Sequence, residues 1–152
     1  MSDLPLAEIN LRKYEPPYNL GKRELVKKVC LSLGLLQPGD SRDVMVDILL
    51  VLLDARKDKE MIDLPRIKKR VLDSRKAANC EMKGVADSNI RRQLRRLKDL
   101  MLVEKLENRY RISEFESLEN LFEDKINNFY LPSIVSRVKE YMKAIESYSK
   151  KE

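Results

Sequence analysis

Asp87-Ser88-Asn89-Ile90-Arg91-Arg92-Gln93-Leu94-Arg95-Arg96-Leu97-Lys98-Asp99-Leu100-Met101 is the stretch that decides the fold of this chain. At 100° per residue, Ile90, Leu94, Leu97 and Met101 fall within an arc of about 60°, which predicts one amphipathic helix. Asp87 or Ser88 is suited to accept from its first free N–H groups. The opposite face carries Ser88, Arg92 and Arg95, flanked by Asn89, Arg91 and Arg96. Between Arg91 and Asp99 only Asp99 offsets Arg91, Arg92, Arg95, Arg96 and Lys98. A solvated helix face usually alternates its charges, and cations near a helix start oppose the macrodipole. An uncompensated face of this kind points to an external anion.

Upstream, Asp63 precedes Pro65 at a helix start, where a missing N–H costs nothing. That helix is expected to run to about Ala78, with Ile67 and Val71 inward and Lys68, Lys69, Arg70, Arg75 and Lys76 outward. Asn79 to Gly84 reads as a turn, and Met61-Ile62 as a short strand. A further helix is expected from about Ser41 to Lys57, capped by Asp40 or Ser41. Its run Val44 to Leu53 is apolar nearly all round, interrupted by Asp47, and belongs at the centre of a bundle. Lys22 to Leu35 is amphipathic, with Leu25, Val29, Leu33 and Leu36 recurring at helical spacing. Residues 1–21 carry Pro5, Pro16 and Pro17 and read as an arm. Tyr14 and Tyr18 are expected to pin it to the core, while Arg12 and Lys13 are placed to reach an anionic partner.

Downstream, Leu102 to Leu106 and Arg109 to Ser113 read as two strands joined by the turn Glu107-Asn108. Two helices are expected to follow. Phe115 to about Tyr130 carries Leu118, Leu121, Phe122, Ile126 and Phe129. Pro132 opens the last, where Ile134, Val138, Tyr141, Ile145 and Tyr148 are spaced four, three, four, three, as in a coiled-coil seam. The expected division is an arm (1–21), a domain with a leading helix (22–113) and a C-terminal helical pair (114–152), forming one compact unit.

The totals set bounds. The 152 residues are 43% hydrophobic and 37% charged, a balance that supports a packed core without disulfide or metal. The net charge is +6. From Asp63 to Lys98 there are twelve Lys or Arg against four Asp or Glu, a surplus of eight, so the rest of the chain is slightly acidic. Basicity gathered in one region is what a phosphate-binding face requires. Cys30 and Cys80 form no C-x-x-C motif, and no stretch has the form of a signal peptide. The expectation is two reduced thiols in a cytoplasmic protein. The apolar run at Val44 is too short to span a bilayer. Histidine is absent, which removes the commonest general base and a common zinc ligand.

Val85-Ala86-Asp87-Ser88-Asn89-Ile90 through Leu102-Val103-Glu104, with the flanking elements, resembles the winged helix-turn-helix of prokaryotic transcription regulators. The order over 41–113 is helix, short strand, helix, helix, hairpin. The resemblance covers about half the chain and implies a mainly α fold with a small β-hairpin wing, extended by extra N- and C-terminal helices. One departure is the segment Asn79 to Ala86, which is longer than the tight turn of the simplest helix-turn-helix.

In that family the helix at 87–101 enters the major groove of double-stranded DNA. Ser88, Asn89 and Arg92 are then suited to base edges. Arg91, Arg95, Arg96 and Lys98 are suited to phosphates, as are Lys68, Lys69, Arg75 and Lys76 of the preceding helix and Arg109 at the wing tip. The expected partners are double-stranded DNA and a second copy of the chain, joined through the C-terminal helices; those helices packing on their own domain is the other reading. No cofactor, metal or membrane is expected, and the sequence names no effector.

Three rivals stand beside this. Winged helices also serve as protein-protein adaptors, in which the basic face would meet an acidic protein. RNA readers usually display aromatic side chains for stacking, and 63–98 has none. An enzyme is not expected, because no phosphate loop, metal-ligand cluster or histidine-partnered nucleophile is present, and pairs such as Glu123-Asp124 fall on a wet helix face.

Overall fold

Val44–Lys57 is the axle of the molecule, because ten of its fourteen side chains are apolar and a helix greasy on most sides must be covered on most sides. The computed structural model describes residues 2–151, with side chains to Tyr148. It places α2 (Val44–Lys57) behind α1 (Lys22–Ser32) and ahead of β1 (Ile62–Asp63), α3 (Leu64–Ala77) and α4 (Asp87–Asp99). β2 (Val103–Leu106) and β3 (Arg109–Ile112) complete the winged helix-turn-helix order. The sheet is antiparallel in the order β1-β3-β2. Ile62 is opposite Tyr110, and Val103 opposite Ile112. Val46, Ile48 and Leu49 of α2 meet Ile67 and Val71 of α3, Ile90, Leu94 and Leu97 of α4, and Ile112 of β3 in one core, all closed to solvent. Each such side chain contributes roughly 1.5–3 kcal/mol by leaving water. Glu107 and Asn108 both take positive φ (50° and 64°), the twist-matching geometry of a two-residue hairpin turn.

Several ends differ from the sequence expectation for local reasons. α2 starts at Val44 rather than Ser41. Asp40 accepts from the Arg42 N–H, and the N-cap Asp43 is drawn to Arg75 instead of capping. α1 stops at Ser32, where Gly34 turns the chain with φ of 71° and lies against the arm. A Cβ at Gly34 would come within 2.7 Å of the Asn10 carbonyl oxygen. α3 starts as expected, with the Asp63 carboxylate accepting from the Arg66 N–H.

The arm is held by Tyr14, as expected, and by residues that the sequence does not single out for that task. Arg12 donates to the carbonyls of Leu31 and Leu36 and to Gln37, so it is a structural tie. Tyr130 exchanges hydrogen bonds with the backbone of Glu8. Tyr14 packs on the core, but Tyr18 is exposed.

The C-terminal pair is one continuous helical run. α5 (Leu118–Leu121), a π-wound segment (Phe122–Tyr130) and α6 (Leu131–Lys151) follow without a break, with αR backbone at both junctions. Pro132 was expected to open a separate helix. It falls instead where π winding hands over to α winding: Leu131 N–H reaches the Ile126 carbonyl, and the Ser133 hydroxyl donates to the Tyr130 carbonyl at 2.6 Å. Leu121 and Ile126 seal the run against the core, whereas every side chain from Val135 to Tyr148 is exposed. Among the described residues, no helix is long and apolar enough to cross a membrane.

Candidate nucleic-acid interface

α4 owes its two faces to its sequence period. Ile90, Leu94 and Leu97 are closed to solvent, and Ser88, Arg91, Arg92, Arg95 and Lys98 are exposed. Its N-cap is Ala86, not Asp87 or Ser88. Asp87, the first helical residue, binds Lys68 of α3 at 2.8 Å, and that bond holds its carboxyl below the usual range. Lys68, one of the expected phosphate contacts, is therefore already paired with a carboxylate. Lys69 and Lys76 of α3 are exposed, as is Arg109 at the hairpin turn.

A groove of about 270 Å³ lies between the starts of α3 and α4 and the wing, lined by Pro65, Asp87, Arg91, Lys105, Asn108 and Tyr110. Lys105 lies 5.6 Å from the Tyr110 ring centroid and is exposed. Of the wing, the sequence reading assigns only Arg109 to a partner. Lys105 was legible as a cation in the strand just before the turn, where a wing comes nearest to a flanking backbone.

Three expected contacts are otherwise engaged. Arg75, read as outward, is 1% exposed. It donates to Asp47 at 2.7 Å, to Asp43 at 2.9 Å and to the Glu81 carbonyl at 2.7 Å. Arg23 and Ser74 also donate to Asp47. The cause is Asp47: a carboxylate in the centre of the fold demands cations, and Arg75 turns in to meet it. Arg75 is thus removed from the phosphate-facing set. Arg96 donates to the carbonyls of Gly34 and Leu35 and to Gln93, tying α4 to the end of α1. Burial, helped by nearby Arg92, lowers its pKa. Asn89 donates to the Gly84 carbonyl at 2.7 Å, and its oxygen accepts from Arg92 and Gln93. Its carboxamide is spent on the fold and has no free edge for adenine.

Compared with known proteins, the chain matches no family model, no curated protein and no solved structure.

The long segment between α3 and α4 is ordered by those same internal bonds. Arg75 holds it at Glu81, and Asn89 holds it at Gly84. Gly84 has φ of 79°, which L side chains rarely adopt. Cys30 of α1 is buried in the core, and burial pushes its thiol up to about 12, so it stays protonated and inert.

Proposed function

We propose that this protein binds double-stranded DNA in the cytoplasm and regulates transcription, with α4 in the major groove and the wing on the flanking backbone. The observation that carries the reading is the exposed row Arg91, Arg92, Arg95 and Lys98, built on a helix whose other face is locked in the core. A rigid helix with an uncompensated cationic face has the shape and charge that the groove admits. Ser88 and Arg92 are assigned to base edges. Arg91, Arg95, Lys98, Lys69, Lys76, Lys105 and Arg109 are assigned to phosphates, with Lys68 exchanging Asp87 for a phosphate. Arg96 and Asn89 support the helix from behind. In this reading the chain binds and turns nothing over.

The same reading makes the protein a homodimer through α6. Val138, Tyr141, Met142 and Tyr148 are exposed large apolar residues along that helix, with Tyr141 at 73%. Exposed apolar surface on this scale marks an interaction face. A second copy is the occupant we assign, because a two-fold protein matches a two-fold DNA site.

The test is fluorescence anisotropy of a labelled duplex pool, including the gene's own upstream region, at several salt concentrations. Tight binding that falls steeply with salt and survives competitor on some fragments supports a sequence-specific DNA binder. No binding at low salt rejects the reading and turns the basic face into bait for an acidic protein. Tighter binding to single-stranded RNA than to duplex rejects it in favour of RNA.

A further inference from the structure

Between the arm, α1 and the start of the C-terminal helix lies a cavity of about 420 Å³. That volume falls in the range of roughly 300–1,000 Å³ usual for small-molecule sites. Leu20, Leu25, Val29, Leu33 and Phe122 form its apolar wall, and none of them is fully buried. Side chains of this type normally complete a core; here they surround a common space and leave it open.

The polar groups at the wall are specific. Lys28 Nζ donates to Glu15 at 2.7 Å and lies 4.5 Å from the centroid of the Tyr14 ring. An ammonium is thus already held at the cavity by a carboxylate and an aromatic face, the pair of contacts that recognises organic cations. Glu119 lies on the same wall, and no ion pair joins it to another described residue. Glu15 and Glu119 against Lys28 leave the wall with one surplus negative charge. Lys28 is a third exposed, so it is able to turn outward.

We propose that this cavity binds a small apolar molecule with an ammonium or quaternary amine head. The head takes the place of Lys28 against Tyr14 and Glu15, and the hydrocarbon part lies against Leu25, Val29, Leu33 and Phe122. Apolar anions are disfavoured by Glu15 and Glu119. Because Leu102 and Leu118 also line the space, an occupant bridges the arm, α1, the base of the wing and the C-terminal helix.

Isothermal titration of the full chain with benzyltrimethylammonium tests this, beside its neutral isostere neopentylbenzene and the anion benzenesulfonate. Saturable binding of the cation, one per chain, is expected, with weaker binding of the other two. Lys28→Met removes the resident ammonium and is expected to tighten the cation roughly threefold to tenfold, whereas Glu15→Gln weakens it by a similar factor. Both residues are on the surface, and the opposite signs separate a cation site from a structural effect. Leu25→Trp, at a partly exposed position, fills the cavity and is expected to abolish binding. Absence of saturable binding overturns the proposal. So does benzenesulfonate binding as tightly as the cation, a Lys28→Met variant that binds no tighter, or retained binding in folded Leu25→Trp.

Discussion

Arg75 Nη1 donates to Asp47 Oδ2 at 2.7 Å, and both side chains are closed to solvent. This bond joins the first turn of α2 to the last turn of α3, the helix that precedes the exposed cationic face. Arg23 of α1 and Ser74 of α3 complete the shell around Asp47. Arg75 continues to Glu81, so the chain leading into α4 hangs from the same guanidinium. The pose of α4 therefore depends on a buried ion network.

Asp47→Asn is expected to destabilise the fold by about 1.5–3 kcal/mol, because Arg75 loses its fully buried counter-charge and keeps only Asp43. Burial alone would raise the Asp47 carboxyl, but hydrogen bonds from Arg23, Ser74 and Arg75 outweigh it and hold the group below its ordinary value. Its contribution is therefore fully present above about pH 4 and is lost as pH falls through the lower folded value. Urea midpoints between neutrality and about pH 2 should fall steeply for the parent and less steeply for Asp47→Asn. Equal acid limbs for the two proteins would contradict the assignment.

Gly84→Ala is expected to cost about 1 kcal/mol or more, since alanine is strained at positive φ. Its Cβ would also meet Asn89 Nδ2 at 3.1 Å, pressing on the bond that fixes the start of α4. A thermal melt reads the loss of stability. An unchanged melting temperature would mean that the loop adapts without strain.

The period of α4 was legible because burial there follows from sequence spacing alone: Ile90, Leu94 and Leu97 repeat at three and four, and all three are inside. The hairpin was legible for a similar local reason, since Glu107-Asn108 separates two short strands. Arg75 was not, because its direction is set by Asp47, 28 positions away and on another helix. One clue was present: a lone carboxylate inside the apolar run Val44 to Leu53 must find a cation. Asn89 misled for a related reason, as its amide serves a loop whose path the sequence does not fix. Pro132 misled by rule: proline usually breaks a helix, but here it follows directly on the π-wound segment and the chain runs on as α6.

Arg92→Ala with Arg95→Ala is expected to leave the melting temperature nearly unchanged, as both side chains are exposed. Duplex affinity should fall by about tenfold or more, and the slope of log affinity against log salt should become shallower by about 0.9 for each phosphate contact removed. Lys105→Ala should weaken binding evenly across sequences. Normal binding by a folded double variant would remove α4 from the interface.

Cutting the chain before Pro132 is expected to yield a folded monomer. Leu121 and Ile126, which seal the C-terminal run to the core, and Tyr130, which holds the arm at Glu8, all remain. The part removed carries only exposed side chains from Val135 to Tyr148, so the core loses little. Val138→Glu with Tyr141→Glu, in the full chain, places charges on the apolar stripe and should act alike. Light scattering reads the mass of each, and the parent should weigh twice the monomer. A parent of monomer mass, or a truncated chain of unchanged dimer mass, would reject α6 as the joining surface. If truncation halves the mass, half-site DNA should bind the monomer almost as before, while a two-fold site should lose the gain from linked contacts.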